Sequence, residues 1–239
     1  MKQFDILATQ IADTAADSII NRSAENASLE SHLTTLQDRL NNLVQIHAPA
    51  HAIADARLQV ARTLVSLERG EEAWPIGRAA FDHFIAHDSF ELAADACDVL
   101  FQAGQEESLC ALGQGIWLAV TCPIDPELTI ELLSHVIDET PDDADGAAVA
   151  ATTALFIADV RARERQRDDL MFFATQMLGT VARRHSGVDS PEQLEQWMER
   201  LELKEPEKFL VRLRNVVDVL VQDDWWFDRR ALQDRLPFA

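Results

Sequence analysis

Two similar blocks follow one another in the middle of the chain, and their spacing constrains the fold more than any other feature. The blocks read ARTLVSLERGEEAWPIGRAAFDHFIAHD and AADACDVLFQAGQEESLCALGQGIWLAV. In each, an apolar helical pattern runs into a glycine, an acidic pair and a second apolar helix. The two glycines, Gly70 and Gly104, are 34 residues apart. Helical hairpins of this length stack because no single hairpin buries its apolar face alone. The spacing therefore predicts a helical scaffold.

Helical periodicity continues on both sides of these blocks, and the sequence contains no convincing strand. We predict an all-α fold of stacked antiparallel helical hairpins with an N-terminal helical pair and a C-terminal helical cap. The pair spans 1–48, the hairpin repeats span 49–166, and the cap with an aromatic tail spans 167–239, all within one continuous domain. The Ala-rich stretch 147–162 predicts that neighbouring helices approach closely.

Two pairs of residues give strong signals for the start of a helix. Asp125 precedes Pro126, and Ser190 precedes Pro191. A short polar side chain can cap the first turn, and proline at the next position is already in a helical conformation. We therefore predict helices that begin at both sites.

The predicted N-terminal pair consists of two helices separated by the polar segment NRSAENAS at 21–28. The second helix carries a seam with steps of three and four: Leu29, Leu33, Leu36, Leu40, Leu43 and His47. Fewer than three heptads are involved, which favours packing within the chain over a coiled coil. A homo-oligomer held through this Leu29–Leu43 seam is an alternative structural role.

Acidic residues outnumber basic residues by 41 to 21, which gives a formal net charge of −20. The average field repels phosphate backbones and anionic lipid headgroups, so we expect neither nucleic acid nor a membrane surface as a partner. The excess of acid serves either to solvate the surface or to attract a basic partner.

The cysteines and the N-terminus bear on the cellular compartment. Cys97, Cys110 and Cys122 have neither zinc-site nor redox spacing, so we expect buried, reduced thiols. Three aspartates, Asp5, Asp13 and Asp17, interrupt the N-terminal apolar run, which argues against a signal peptide. No stretch of about 20 apolar residues occurs elsewhere in the sequence. We expect a cytoplasmic protein.

The blocks between 61 and 124 resemble tetratricopeptide-type (TPR-like) helical hairpins, a family whose unit is about 34 residues long. The resemblance covers roughly the middle half of the chain. It rests on Gly70 and Gly104 at the turns and on Pro123 and Pro126 near the end of a unit. It also rests on small residues at packing positions: Ala61, Ala79, Ala80, Ala94 and Ala111. The resemblance implies a stacked-hairpin architecture that binds another protein, and it implies no individual binding residue.

Two histidine pairs have a spacing that would let each pair share a metal ion on a helix: His47 with His51, and His83 with His87. Pro49 lies between the members of the first pair and predicts a helix break there, whereas the second pair is predicted to face solvent. The further ligands that a structural metal site needs are not visible in the sequence. We therefore expect surface histidines and no resident metal or cofactor.

Consecutive aromatic residues, Trp225, Trp226 and Phe227, form the most distinctive local feature, and Phe238 follows near the end of the sequence. These side chains cannot all lie on one helix face. We expect them to pack back over the last helices; the alternative is that they anchor the chain in a partner's pocket, a role for which tryptophan is favoured.

The sequence contains no glycine-rich phosphate loop, nucleophile elbow or zinc-protease motif. Together with the repeat and the acidic surface, this favours a non-catalytic scaffold, adaptor or assembly chaperone that binds a protein or peptide, with a basic segment as one kind of partner. The alternative is an all-α enzyme that uses a metal or cofactor at the histidine pairs.

Overall fold

The computed structural model describes the backbone of residues 2–236 and the side chains of residues 23–236. This part of the chain forms helices and no strand, which confirms the predicted all-α class. The helices in chain order are α1 (Lys2–Gln45), α2 (Ala50–Ser66), α3 (Gly70–Ala86), α4 (Phe90–Gln102), α5 (Ser108–Thr121), α6 (Pro126–Glu139), α7 (Asp145–Arg161), α8 (Glu164–Ser186), α9 (Pro191–Arg200), α10 (Pro206–Val221) and α11 (Arg229–Gln233). None of the helices described here combines the length and apolarity that a membrane crossing requires.

Helices that follow one another in sequence pack as pairs. Helix α2 packs against α3, α4 against α5 and α6 against α7, each across a short linker. Successive pairs also contact one another, because α3 packs against α4 and α5 against α6. Helix α8 continues the order against α7, but α10 leaves it and packs across both α5 and α7.

Contacts between successive pairs recur with the spacing of the sequence repeat. Arg62 on α2 forms an ion pair with Asp95 on α4, 33 residues further along the chain. The Asp125 backbone N–H donates to the Glu91 carboxylate at 3.3 Å, a separation of 34 residues. These two contacts between neighbouring helix pairs thus have nearly the spacing of the sequence repeat.

The two glycines that mark the repeat have different roles. Gly104 has a left-handed φ of 64° after the end of α4, as a turn glycine should. Gly70 instead begins α3, and the left-handed residue after α2 is Glu68, with φ 59°. A Cβ atom on Gly70 would lie 1.9 Å from the Ala103 carbonyl oxygen, so glycine is required there by the neighbouring turn.

The predicted N-terminal helical pair is wrong, because α1 is one continuous helix from Lys2 to Gln45. The segment at 21–28 interrupts the apolar pattern, but it contains neither glycine nor proline, and its alanine and glutamate residues favour helix. Leu33 and Leu36 are buried in the common core, and α1 packs on α2, which confirms packing of the leucine seam within the chain. The side chains of 1–22 lie outside the described residues.

Helix α7 confirms the predicted close approach of neighbours at the Ala-rich stretch. It packs against α6, α8 and α10, and alanine side chains let all three approach it closely. Six of these alanines are completely buried: Ala147, Ala148, Ala150, Ala151, Ala154 and Ala158.

Both predicted helix starts are confirmed. The Asp125 carboxylate accepts a hydrogen bond from the Glu127 N–H at 2.8 Å, and Pro126 begins α6. The Ser190 hydroxyl accepts from the Gln193 N–H at 3.3 Å, and Pro191 begins α9. Local capping chemistry therefore fixes these two boundaries.

We expect Gly70→Ala to lower the free energy of unfolding by about 1–3 kcal/mol, because the added methyl group would overlap the Ala103 carbonyl. Gly179→Ala is the matched control: this glycine lies inside α8 with nothing within 4 Å of an added Cβ, so alanine should stabilise the helix by about 0.5–1 kcal/mol. Urea unfolding followed by circular dichroism measures both changes. Equal effects of the two substitutions would contradict the stacked turns.

All three cysteines are free and buried, as predicted. Burial raises the pKa of Cys122 to about 11 and also raises the pKa values of Cys97 and Cys110. We therefore expect the native protein to react only slowly with a thiol-specific disulfide reagent at mildly alkaline pH, and the three thiols to react rapidly in concentrated urea. Rapid modification of a thiol in the native protein would show that the corresponding helix interface is open.

Candidate functional site

Polar side chains connect the first helices of the three central pairs. Helix α4 contacts both α2 and α6 directly. The Arg62–Asp95 ion pair joins α2 to α4, and the Asp98–His135 pair joins α4 to α6. These residues, together with Glu131 on α6, define what we call the α2–α4–α6 face.

Asp98 is the most unusual residue on this face, because its side chain is only 1% exposed. Its carboxylate accepts hydrogen bonds from His135 Nε2 at 2.8 Å and from Gln102 Nε2 at 2.6 Å. The Phe101 ring lies 4.6 Å from the His135 ring, centroid to centroid, and restrains it further. The imidazole is therefore held in one orientation at the surface.

Glu131 lies one helical turn before His135, with one side open to solvent. Partial burial, and to a smaller extent the negative charge of Asp98, raises the pKa of the Glu131 carboxyl above its ordinary value. Arg62 pairs with Asp95 rather than with Glu131. The face thus presents a carboxylate in a negative environment, which a positively charged group arriving from solvent would stabilise.

The neighbouring hydroxyl group is not arranged as a nucleophile for His135. Ser134 donates its hydroxyl proton to the Glu131 backbone carbonyl at 2.7 Å. The Asp98–His135 pair thus holds a partly exposed imidazole ring next to the exposed Glu131 carboxylate.

The aromatic tail packs within the chain, but over α3 and α5 rather than over the last helices. Trp226 lies edge-on to Phe81 at 5.2 Å, Trp225 lies 6.2 Å from Trp117, and Phe227 lies 5.3 Å from Trp117. All three tail side chains remain half-buried, so their predicted role as partner anchors stays a prediction. Phe238, the fourth predicted anchor, lies outside the described residues.

Three histidines come together across α2 and α3. The His83 ring lies 4.1 Å from the His87 ring and 5.6 Å from the His51 ring. Burial, then the neighbouring charges of His87 and His51, lowers the pKa of His83. His87 is exposed as predicted, whereas His83 is half-buried. Within residues 23–236, no group of three or more His, Cys, Asp or Glu side chains is arranged to hold a metal ion.

His47 is separated from this cluster in the chain, as Pro49 predicted. It lies in the linker between α1 and α2 with a left-handed φ of 53°. The pair His47 and His51 therefore does not share one helix, which removes the spacing on which its candidate role was based.

Sequence reasoning missed Asp98, His135 and the buried Gln114. A signal for Asp98 was present, because it is a charged residue inside the apolar run of α4 with Gln102 one turn later. A charged side chain in such a run must find a partner when it is buried. Its partner is 37 residues away, so only the packing of α4 on α6 identifies it as His135.

Comparison of the chain with protein-family models, with curated proteins and with solved structures found no match in any of the three.

We expect Asp98→Ala to lower the free energy of unfolding by about 3 kcal/mol, because it removes one partner of a buried polar pair. The control, Asp95→Ala, breaks only the more exposed pair with Arg62 and should cost less than about 1 kcal/mol. Chemical denaturation of both variants gives the comparison. A loss in Asp98→Ala as small as that in Asp95→Ala would contradict the structural role of the Asp98–His135 pair.

Proposed function

We propose that this protein is a non-catalytic scaffold, an adaptor or assembly chaperone, that binds a protein or peptide on its α2–α4–α6 face. The observation that carries the proposal is the Asp98–His135 network beside the open Glu131 carboxylate. A buried carboxylate that fixes the orientation of a surface ring is costly to maintain, and binding sites commonly use such preorganisation.

The distribution of the chain's own segments supports this choice of face. Helix α10 packs on α5 and α7, and Trp226 packs on α3. The second helices of the three pairs are therefore covered by the C-terminal part of the same chain. The first helices, α2, α4 and α6, carry the polar network instead. This arrangement favours a partner on the α2–α4–α6 face.

The chemistry of the face favours a partner with a lysine or arginine side chain. Its positive head would lie near the Glu131 carboxylate, where it would oppose the charge of Asp98. Its aliphatic stem would cover the half-exposed Phe101 ring beside His135. The net charge of −20 would also increase the rate of encounter with a basic segment at low ionic strength. The TPR-like resemblance of the hairpins agrees with an adaptor role.

A site-specific crosslinking experiment tests this proposal. A photo-crosslinking amino acid is placed at Asp138, which is exposed on α6 one turn after His135, and at Glu207, which is exposed on α10. After irradiation in the native host, mass spectrometry should identify a discrete protein adduct from the Asp138 position. The Glu207 position should not give the same adduct. The same adducts from both positions would contradict docking on this face.

Charge reversal then tests the basic partner. Using the protein recovered by crosslinking, we expect Glu131→Arg to weaken binding at least about tenfold, equivalent to about 1.4 kcal/mol. Glu207→Arg makes the same charge change on α10 and should leave the affinity within about twofold of the wild type, because exposed charges far from an interface contribute little. Isothermal titration calorimetry measures both. Equal affinities for the two variants would contradict recognition at Glu131.

A further inference from the structure

The non-helical segment between α10 and α11, residues 222–228, is held like a bound peptide, and we call it the tryptophan segment. It fills the space between α3 and α5. Phe227 touches both walls of this space, with its ring 6.3 Å from Phe81 on α3 and 5.3 Å from Trp117 on α5. Trp226 packs toward α3 and Trp225 packs toward α5, so these adjacent side chains contact opposite walls of the space.

Gln114 recognises the backbone of this segment. Its side chain is completely buried on α5, where Nε2 donates to the Asp224 carbonyl at 2.9 Å and Oε1 accepts from the Trp226 N–H at 3.2 Å. The Cys110 thiol also lies 3.3 Å from the Asp224 carbonyl. One amide side chain thus satisfies a donor and an acceptor on either side of Trp225. Without an occupant, Gln114 would be a polar group in an aromatic groove.

Cationic side chains complete the groove. The Arg78 guanidinium lies 4.3 Å from the centroid of the Trp226 ring and 5.2 Å from that of Phe81. Beyond the segment, Arg235, which follows α11, forms an ion pair at 2.6 Å with Asp88 in the linker after α3. Specific side-chain contacts therefore attach the C-terminal part of the chain to α3 and to the linker that follows it. These contacts do not require the segment to be joined to α10 of the same molecule.

The connection itself is strained. Gln222 ends α10 with φ 55° and ψ −126°, a left-handed conformation that residues with a Cβ atom rarely adopt. Gln222, Asp223 and Asp224 are all exposed. Opening this hinge relieves the strain. The contacts that the segment loses can all be restored by the same segment of another molecule. Strained hinges of this kind favour the exchange of segments between copies.

We infer that the space between α3 and α5 is a binding site for the tryptophan segment, and that two copies of this chain exchange the segment to form a dimer. Each copy supplies its residues 223–236 to the groove of the other, so that Gln114 of one chain holds the backbone of its partner's segment. The intrachain contact dominates in dilute solution because the segment has a high effective concentration there, and exchange increases with protein concentration. This dimer would leave the α2–α4–α6 face open, so it is independent of the proposed function.

A disulfide trap in the full-length chain tests this inference. Asp224→Cys puts a second thiol on the residue whose backbone carbonyl contacts the Cys110 thiol, and oxidised glutathione accepts the two electrons and two protons that the thiol pair releases. The variant is incubated at a high concentration and at one about a hundredfold lower before oxidation. We expect a disulfide-linked dimer on non-reducing denaturing gels whose share rises with concentration and which disappears when Cys110→Ser is added.

Two further samples ensure that a failed crosslink is informative. Light scattering of the wild-type protein over the same dilution series should show a dimer at high concentration. Gln222→Gly should reduce the share of dimer at least about threefold, because glycine removes the hinge strain that exchange relieves. Only intrachain disulfides in the trap at both concentrations, or a wild-type monomer throughout the series, would overturn the exchange.

Discussion

Burial of α5 on every side is the constraint around which the other elements are arranged. Eleven of its 14 residues are buried, and α4, α6 and α10 all pack on it. Two glycines allow this: a Cβ on Gly113 would lie 2.5 Å from Val221 on α10, and one on Gly115 would lie 2.8 Å from Cys97 on α4. A helix that is apolar all round is stable only inside a protein, so α5 requires the C-terminal segment as a cover.

Because α5 needs this cover, the two sides of the helical pairs differ in chemistry. The second helices, α3, α5 and α7, are covered by α10 and by the aromatic residues that follow it. The first helices, α2, α4 and α6, are joined instead by polar contacts at Asp95 and Asp98. One side therefore supplies stability through apolar burial, and the other carries charges that solvent or a partner can reach. The proposed binding face follows from this division.

Much of the fold could be predicted from the sequence because local physics fixes it. The helical period, the caps at Asp125 and Ser190 and the break at Pro49 each act within a few residues, and each was confirmed. The break expected in α1 failed because a polar segment without glycine or proline interrupts an apolar stripe but not a backbone helix. A local sequence pattern does not distinguish a break in the apolar stripe from a break in the helix itself.

The candidate site was much less predictable, because its members come from different helix pairs. His135 is 37 residues from Asp98, and Gln114 is 112 residues from the Trp226 N–H that it accepts. The tryptophan segment was conspicuous in the sequence, yet its packing on α3 depends on α10 turning back across α5, which no local signal encodes. Contacts of this range become visible only once the pairs are placed side by side.

Hydrogen exchange measured by mass spectrometry tests the central position of α5 most directly. If α5 is enclosed by α4, α6, α10 and the tryptophan segment, amides of residues 108–121 will exchange only through global unfolding and will be among the slowest in the chain. The short α9, with Trp197 as its one buried residue, should exchange much faster. Exchange of α5 as fast as that of α9 would contradict this account.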